Sequence, residues 1–397
     1  MADIQKIPLN QVKLGMYITE IEGATRQLKV KMGGRIKKQQ HLEKMKIQQV
    51  KYVYVDFDRN DLDLQISPSI NKTAEKKPKE VTQLNSEDIS NASSLYDEAK
   101  AIQEKLLNSV SKKKVVDYEI VQASSKQIID SVFQDSDALL LISNLKNVDN
   151  YHFEQAINSC ILMTTFAIFL GFEKKVVNDV AIGAFMHDLG ISRISPKILN
   201  KPGSLNEQEF EEVKKHVGYV REIMENSPQM SDISVDIVAN HHERLDGSGY
   251  PNGLDGDKLD IYARMMAIVD TFNAMTSDRH HQKSCSQLKA FNAMLDKPEH
   301  YDQKLVQKFI KCLGIYPVGS LVKLKSGRIG IVYRANRKEP LKPKVISFYS
   351  LNQRHYTEAK MINLAKSSTE EIEMSVQAEE IDISMNRGLL EILFSQV

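Results

Sequence analysis

A long uncharged segment constrains the fold more than any other feature of this sequence. No charged residue occurs from position 156 to position 172, and most of the side chains there are apolar. A helix that spans a membrane needs about 20 mostly apolar residues. This segment is shorter, includes the polar Asn158 and Ser159 and stops at Glu173. We therefore expect a buried helix in the core of a globular domain, and no membrane span.

Composition and charge exclude several classes of protein. The chain has 397 residues, 42% hydrophobic and 26% charged, so a folded core is expected. Its 53 basic and 52 acidic side chains leave a net charge of +1, which argues against binding to a nucleic acid polymer. The three cysteines form no CxxC pair, so neither a disulfide framework nor a thiolate zinc site is expected. The sequence does not begin with the pattern of a secretory signal, and we expect a cytoplasmic protein.

Changes in composition and periodicity divide the chain into five segments. They are a small β-rich N-terminal domain (1–57), a polar linker (58–92), a helical domain with a lead-in helix (93–315), a small β-rich appendage (316–365) and an acidic tail (366–397). We predict strands at 12–18, 51–55, 321–324, 329–333 and 344–349, a turn at 33–34, and a short amphipathic helix at 389–394. The expected fold class is mainly α, with small β-rich units at both ends.

Histidine and aspartate residues concentrate in the helical segment. Six of the ten histidines lie between positions 187 and 281, and Asp188 and Asp270 each end an apolar run. Burying a lone imidazole or carboxylate is costly, but a divalent cation can neutralise several of them together. Imidazole and carboxylate without thiolate suit Fe, Mn, Zn, Co or Ni, and one carboxylate can bridge two ions.

Each of these signals is weak when taken alone. An isolated His-Asp pair is more typical of a satisfied core or surface pair than of a metal site, and His280 and His281 are more typical of a polar loop. The adjacent His241 and His242 would point about 100° apart on a continuous helix, so one shared site requires a helix end or kink there. The residues after His242 strengthen the metal hypothesis.

The string His-His-Glu-Arg-Leu-Asp-Gly-Ser-Gly-Tyr-Pro at 241–251 is long and unusual. Together with His187-Asp188, it strongly resembles the HD-GYP domain, a branch of the HD phosphohydrolases whose activity is hydrolysis of cyclic di-GMP. The resemblance covers roughly residues 120–315 and implies a helical HD-type domain. The first 57 residues look like the uncharacterised domain that often precedes HD-GYP domains, and the segment from Tyr316 resembles one that often follows them.

The resemblance implies specific roles for residues of this chain. It implies that one or two divalent ions, Fe or Mn, are held by His187, Asp188, His216, His241, His242 and Asp270. Asp188 would bridge the ions and take part in catalysis. The loop beside the substrate would be shaped by Gly249, Tyr250 and Pro251, and Arg279 would meet a phosphate or a guanine and contribute to catalysis.

Four positions depart from the family's pattern. Gln155 stands where the family commonly has its first metal-binding histidine, and Ile191 replaces a lysine. Asn273 replaces a second aspartate, and Gln282 replaces a lysine. A neutral amide is a poorer ligand than imidazole for a transition metal. We therefore expect a nearly intact site at Asp188, His216, His241 and His242, and a depleted one at His187, Asp188 and Asp270.

Two functions remain open at this stage. In the first, the protein is a phosphodiesterase in which a metal-bound hydroxide converts cyclic di-GMP to the linear dinucleotide or GMP. In the second, it is a degenerate domain that senses cyclic di-GMP or a protein partner without hydrolysis, as the four departures suggest. Further expected partners are proteins bound through the N-terminal domain and a second copy of the chain in a homodimer.

Overall fold

A computed structural model describes most of the chain. It covers residues 4–8, 17–23, 29–35, 50–56, 84–114, 116–145, 151–225, 229–277, 283–336, 338–381, 383 and 385–396. These residues fall into two compact units, Met1–Lys76 and Lys77–Val397, and each is described by itself.

The first unit contains a four-stranded antiparallel sheet in the order β1-β4-β2-β3. Its strands are β1 (Ile4–Pro8), β2 (Tyr17–Gly23), β3 (Lys29–Arg35) and β4 (Val50–Asp56). The predicted turn at Gly33 and Gly34 is wrong, because both residues lie inside β3, which pairs with β2. Of the strand predicted at 12–18, residues 12–16 lie outside the described residues.

Helices dominate the second unit. They are α1 (Ser86–Ser111), α2 (Tyr118–Ser143), α3 (Tyr151–Phe169), α4 (Lys174–Met186), α5 (Pro196–Leu199), α6 (Glu207–Glu225), α7 (Asp232–Asn240), α8 (Ile261–Met275), α9 (Gln287–Leu295), α10 (Gln303–Leu313) and α11 (Arg387–Ser395). Short 3₁₀ helices at Leu189–Arg193 and Gly256–Lys258 connect some of them.

The uncharged segment forms α3, at the centre of the helical core. Ile157, Ile161 and Phe166 are fully buried, and the helix packs against α2, α4 and α8. Burial of these apolar side chains against the neighbouring helices explains why a segment without charges is stable here in water. None of the helices in the described part of the chain is long and apolar enough to cross a membrane.

The first long helix begins earlier than the sequence indicated. Asn85 caps α1 by accepting a hydrogen bond from the backbone N–H of Asp88, whose carboxylate accepts one from the N–H of Asn85. This capping box starts the helix at Ser86, inside the segment assigned to the linker. Ile89 and Ala92 are already buried in the core, so the segment 86–92 belongs to the helical body.

A five-stranded antiparallel sheet in the order β8-β7-β6-β5-β9 follows the helices. Its strands are β5 (Leu321–Leu324), β6 (Arg328–Arg334), β7 (Lys344–Ser350), β8 (His355–Asn363) and β9 (Ile372–Val376). The acidic segment 366–397 is not a free tail, because β9 pairs with β5 and α11 buries Leu390 and Leu393. The predicted fold class, mainly α with β-rich units at both ends, is confirmed.

Candidate metal centre

Six imidazole and carboxylate side chains from four parts of the helical body converge at one place. His187 and Asp188 follow the end of α4, His216 lies in α6, His241 and His242 follow α7, and Asp270 lies in α8. They form two groups, each with its ligand atoms within 4.8 Å of one another. The four-ligand group is Asp188, His216, His241 and His242, and the three-ligand group is His187, Asp188 and Asp270.

Asp188 belongs to both groups because its two oxygens face different partners. Oδ1 lies 3.3 Å from Nε2 of His216 and 3.9 Å from Nε2 of His241. Oδ2 lies 3.4 Å from Nε2 of His187. One carboxylate thus joins the two groups, which is the arrangement required of a bridging ligand.

Backbone hydrogen bonds fix three of the imidazole rings. His187, His216 and His241 each direct Nδ1 at the carbonyl oxygen three residues earlier in the chain, at 2.7, 2.7 and 2.9 Å. A carbonyl oxygen can only accept, so each Nδ1 carries the hydrogen. In the neutral rings Nε2 therefore keeps its lone pair, and in all three rings this atom faces Asp188.

The end of α7 allows two neighbouring histidines to serve one site. The helix stops at Asn240, and the rings of His241 and His242 come within 4.0 Å of each other, centroid to centroid. His242 directs Nδ1 towards Oδ2 of Asp270, at 4.0 Å. The sequence analysis required a helix end or a kink here if both histidines were to serve one site, and the structure has a helix end.

Gln155 takes part in the three-ligand group as a hydrogen-bond donor. Its Nε2 donates to Oδ1 of Asp270 at 2.8 Å, and its Oε1 is buried without a hydrogen-bond partner among the described residues. The sequence located Gln155 but did not show this contact. The neighbouring Glu154 points elsewhere and pairs with Lys100 at 3.2 Å, so it does not replace the missing histidine.

Burial and neighbouring charges shift the pKa values of these imidazoles in opposite directions. Burial alone lowers the pKa of His187, but the carboxylates of Asp188 and Asp270 outweigh it and raise this pKa to about 10. Burial, together with the charge on His187, lowers the pKa of His241 to about 3. Burial also lowers the pKa of His242 well below its ordinary value. At neutral pH, His187 therefore carries the positive charge, and His241 and His242 are neutral.

The carboxylates stay ionised in spite of their burial. Burial opposes the charge on Asp188, but His187 outweighs it and holds the pKa of that carboxyl well below its ordinary value. The pKa of Asp270 is lowered for the same reason. Two adjacent negative charges, one buried (Asp270) and one half-buried (Asp188), thus require a cation, which the proton on His187 supplies in part. A bound metal would supply the same charge and would displace that proton.

The donor set fits a divalent transition metal. Nε2 of His187 is buried and has no hydrogen-bond partner in the described part of the chain, although it lies 3.4 and 3.6 Å from carboxylate oxygens of Asp188 and Asp270. An orphaned imidazole nitrogen beside ionised carboxylates is expected at a metal site. These residues could hold one ion in each group, joined through Asp188.

Gly190 permits the approach of two elements that carry ligands. A Cβ at this position would lie 2.0 Å from the carbonyl oxygen of His216 and 2.9 Å from Val220. Only glycine allows the 3₁₀ helix after Asp188 to pack directly on the backbone of α6. This contact keeps His216 within reach of Asp188.

Glu243 holds the loop that contains Gly249, Tyr250 and Pro251. It is 1% exposed, and its two carboxylate oxygens accept the backbone N–H groups of Asn252 at 2.7 Å and Leu254 at 3.0 Å. A Cβ on Gly249 would lie 2.4 Å from the Cα of Glu243, so the loop returns tightly over this residue. Sequence reasoning assigned Glu243 no role, although its place after two candidate ligands is a signal that could have found it.

The ring of Tyr250 lies on the candidate metal centre. It stacks on the imidazole of His242, with centroids 4.5 Å apart and planes 28° apart. The resemblance placed Tyr250 beside the substrate, and the structure brings its ring against a candidate ligand. Arg279, which the resemblance also assigned to the substrate, lies outside the described residues, as do Gln282, His280 and His281.

Two other departures from the family's pattern, Asn273 and Ile191, are both buried. Asn273 is fully buried, and its amide nitrogen donates to the backbone oxygen of Gln155 at 2.9 Å and to Oγ of Ser159 at 3.1 Å. It therefore ties α8 to α3. Ile191 is buried in the hydrophobic core, so it brings no positive charge to the centre.

Comparisons with known proteins show which families and relatives this chain resembles. The HD domain family matches residues 142–305, and a domain of unknown function, DUF3391, matches residues 4–121, which extends beyond the predicted boundary at 57, through α1 and into the first turn of α2. Cyclic di-GMP phosphodiesterase PA4108 of Pseudomonas aeruginosa is 30% identical over 92% of this chain and 90% of its own.

Other relatives match shorter stretches of the chain. A 3′3′-cGAMP-specific phosphodiesterase 2 of Vibrio cholerae is 38% identical over 32% of this chain and 24% of its own. A cyclic di-GMP phosphodiesterase of Thermotoga maritima is 30% identical over 46% of this chain and 50% of its own. These three relatives are named for two different cyclic dinucleotides, cyclic di-GMP and 3′3′-cGAMP.

Proposed function

This chain belongs to the HD-GYP family of HD-domain proteins, and we propose from that membership and from the site's geometry that it is a metal-dependent phosphodiesterase acting on cyclic di-GMP. The relative that matches nearly the whole chain is named for that substrate. The proposed products are the linear dinucleotide or GMP.

One observation carries the proposal: Asp188 presents one oxygen to His216 and His241 and the other to His187. The neutral imidazoles of His241 and His242 lie with His216 around the ionised Asp188, and we propose that this set holds Fe or Mn as the cofactor. When bound, a divalent cation lowers the pKa of water towards neutrality and polarises a phosphoryl oxygen.

The chain's own residues contribute positioning and charge. The carbonyl oxygens that accept from Nδ1 fix the rings of His187, His216 and His241, which preorganises the centre. Glu243 holds the Gly249–Pro251 loop so that Tyr250 stays against His242. We propose that this loop borders the substrate and that Arg279 balances negative charge on the phosphate.

Purified protein loaded anaerobically with Mn²⁺ or Fe²⁺ tests the proposal, with metal content measured by elemental analysis and products by chromatography. We expect turnover of cyclic di-GMP that falls at least about 100-fold in Asp188→Asn, because this change affects both groups of ligands. His355→Ala is a matched control, because this exposed histidine lies on β8. It should retain the activity of the original chain.

Two outcomes would contradict the proposal. Tight binding of cyclic di-GMP with no product across Mn, Fe, Co, Ni and Zn would indicate a sensor that does not hydrolyse its ligand. Failure to bind either metal or nucleotide would indicate a protein-interaction role instead. Binding of protein partners through the N-terminal domain, and homodimerisation, remain predictions.

A further inference from the structure

An aromatic and cationic surface adjoins the candidate metal centre. We call it the ledge, and it consists of Phe210 and Lys214 of α6 together with Tyr250. The rings of Phe210 and Tyr250 meet edge to face with centroids 6.2 Å apart. Nζ of Lys214 lies 4.9 Å from the centroid of Phe210 and 5.4 Å from that of Tyr250. The ledge continues directly from the centre, because Tyr250 stacks on His242.

The exposure of Phe210 is unusual for a large apolar side chain. It is 45% exposed, although it lies on a helix whose other face packs in the core. A solvated phenyl ring held by a neighbouring tyrosine and a lysine offers a flat surface on which a base can stack. Its position beyond Tyr250 places that surface outside the ligand cluster.

Lys214 carries a positive charge that can exchange its present partner for a ligand. Its present partner is Glu211, at 2.6 Å, whose side chain is 60% exposed. Lys214 is half-buried and its partner is exposed, and an ion pair open to solvent on one side contributes little to stability, so a phosphate can replace the carboxylate at low cost.

We propose that the ledge binds the part of a cyclic purine dinucleotide that extends away from the metal ions. Phe210 stacks on a purine base, and Lys214 pairs with the phosphate that is not being cleaved. This inference rests on the proposed phosphodiesterase function and adds a site for the second half of the substrate. Both are proposed as substrate-binding residues, and within the described residues their ring and ion-pair contacts are with Tyr250, with each other and with Glu211.

Steady-state kinetics of Phe210 variants test the stacking contact. Phe210→Ala should raise KM for cyclic di-GMP about tenfold and change kcat much less, because stacking on an aromatic ring stabilises bound substrate. Phe210→Trp should restore KM, whereas Phe210→Leu should not, because leucine keeps apolar area but has no ring. Tyr356→Ala is the control: this tyrosine is 54% exposed on β8, and its removal should leave KM unchanged.

Neighbouring lysines provide a matched test of the charge. Lys214→Ala should raise KM about threefold to tenfold, with a difference from the original chain that shrinks as the salt concentration rises. Lys215→Ala should leave KM unchanged. Lys215 has an equivalent pair with Glu212, but no ring contact to Tyr250 is found for it in the described part of the chain.

Calorimetric binding of cyclic di-GMP to the same variants separates the two proposals. If the original chain turns the substrate over and Phe210→Ala keeps its KM, the ledge proposal alone is overturned. If the original chain binds the nucleotide without turnover and Phe210→Ala weakens binding, the ledge stands and the phosphodiesterase function fails. If the original chain neither binds nor converts the nucleotide, both are overturned.

Discussion

The two groups of ligands that share Asp188 differ in how ready they are to receive a metal ion. The four-ligand group combines one carboxylate with three imidazoles, and the pKa values of His241 and His242 are lowered so that both rings stay neutral. The three-ligand group contains two carboxylates and His187, whose pKa is raised to about 10. A proton therefore competes with metal at His187 in the second group, whereas His241 and His242 in the first are already deprotonated.

Gln155 increases this difference. Its amide nitrogen donates to Oδ1 of Asp270 at 2.8 Å, so one ligand atom of the three-ligand group is already occupied by a hydrogen bond. The smaller number of ligands, the competing proton on His187 and the amide of Gln155 all lower the metal affinity expected of the three-ligand group. A single residue hydrogen-bonded to Asp270, which belongs to the three-ligand group alone, is therefore expected to weaken one candidate metal position and to leave the other nearly complete.

The largest expected effect compares one histidine from each group. His241→Ala should weaken binding of the first metal equivalent by more than the roughly 100-fold that loss of an outer-shell partner can cost. His187→Ala should leave the first equivalent bound, because His187 lies outside the four-ligand group. Competition titrations with a chelating dye measure both affinities. Equal losses in the two variants would show that the groups do not differ as described.

The pH dependence of the metal-free protein should distinguish the groups next. His241, with a folded pKa of about 3, contributes stability above its ordinary 6.5 that is lost as the pH falls towards 3. His187, with a folded pKa of about 10, contributes stability below 6.5 that is lost as the pH rises towards 10. These two residues therefore favour a stability maximum near pH 6.5.

Urea denaturation in the presence of a chelator measures this effect. Between pH 6.5 and pH 5, His241 alone should lower the free energy of unfolding by about 2 kcal/mol. His241→Asn should flatten the acid side of the profile, and His187→Asn the alkaline side. A profile that both variants leave unchanged would contradict the assigned protonation states.

The smallest expected effect comes from restoring a ligand. Gln155→His should bind the second metal equivalent about tenfold more tightly, because an imidazole is a better ligand than an amide for Fe or Mn. Gln155→Leu is the control, since it frees Oδ1 of Asp270 without adding a donor. If the leucine variant gains as much affinity as the histidine variant, the hydrogen bond to Asp270 is the cause and the missing ligand is not.

Much of the fold could be predicted from local pattern. The uncharged stretch 156–172 identified the central helix, and the strands predicted at 321–324, 329–333 and 344–349 agree with β5, β6 and β7 to within a residue at either end. The strand β9 was missed because its side chains are half-buried or exposed, and it is stabilised by pairing with a strand about 50 residues earlier. Such pairing leaves no periodic signal in the sequence.

The site shows the same limit. Residue types and the string at 241–251 identified the candidate ligands, since adjacency along the chain is visible in a sequence. The hydrogen bond from Gln155 to Asp270 joins residues 115 positions apart, and the contact between Phe210 and Tyr250 joins residues 40 apart. No spacing rule connects such pairs, and only the packing of α3, α6 and α8 brings them together.

The backbone contact at Gly190 has a consequence for how this centre can diverge among descendants of the chain. The position carries no donor atom, yet any side chain there would collide with the carbonyl oxygen of His216. The arrangement of the candidate centre thus depends on the absence of a Cβ at this position. Even alanine at position 190 would force the backbone of α6 away from the 3₁₀ helix that follows Asp188. A substitution at a residue without any ligand atom can therefore separate the candidate ligands in descendants of this chain.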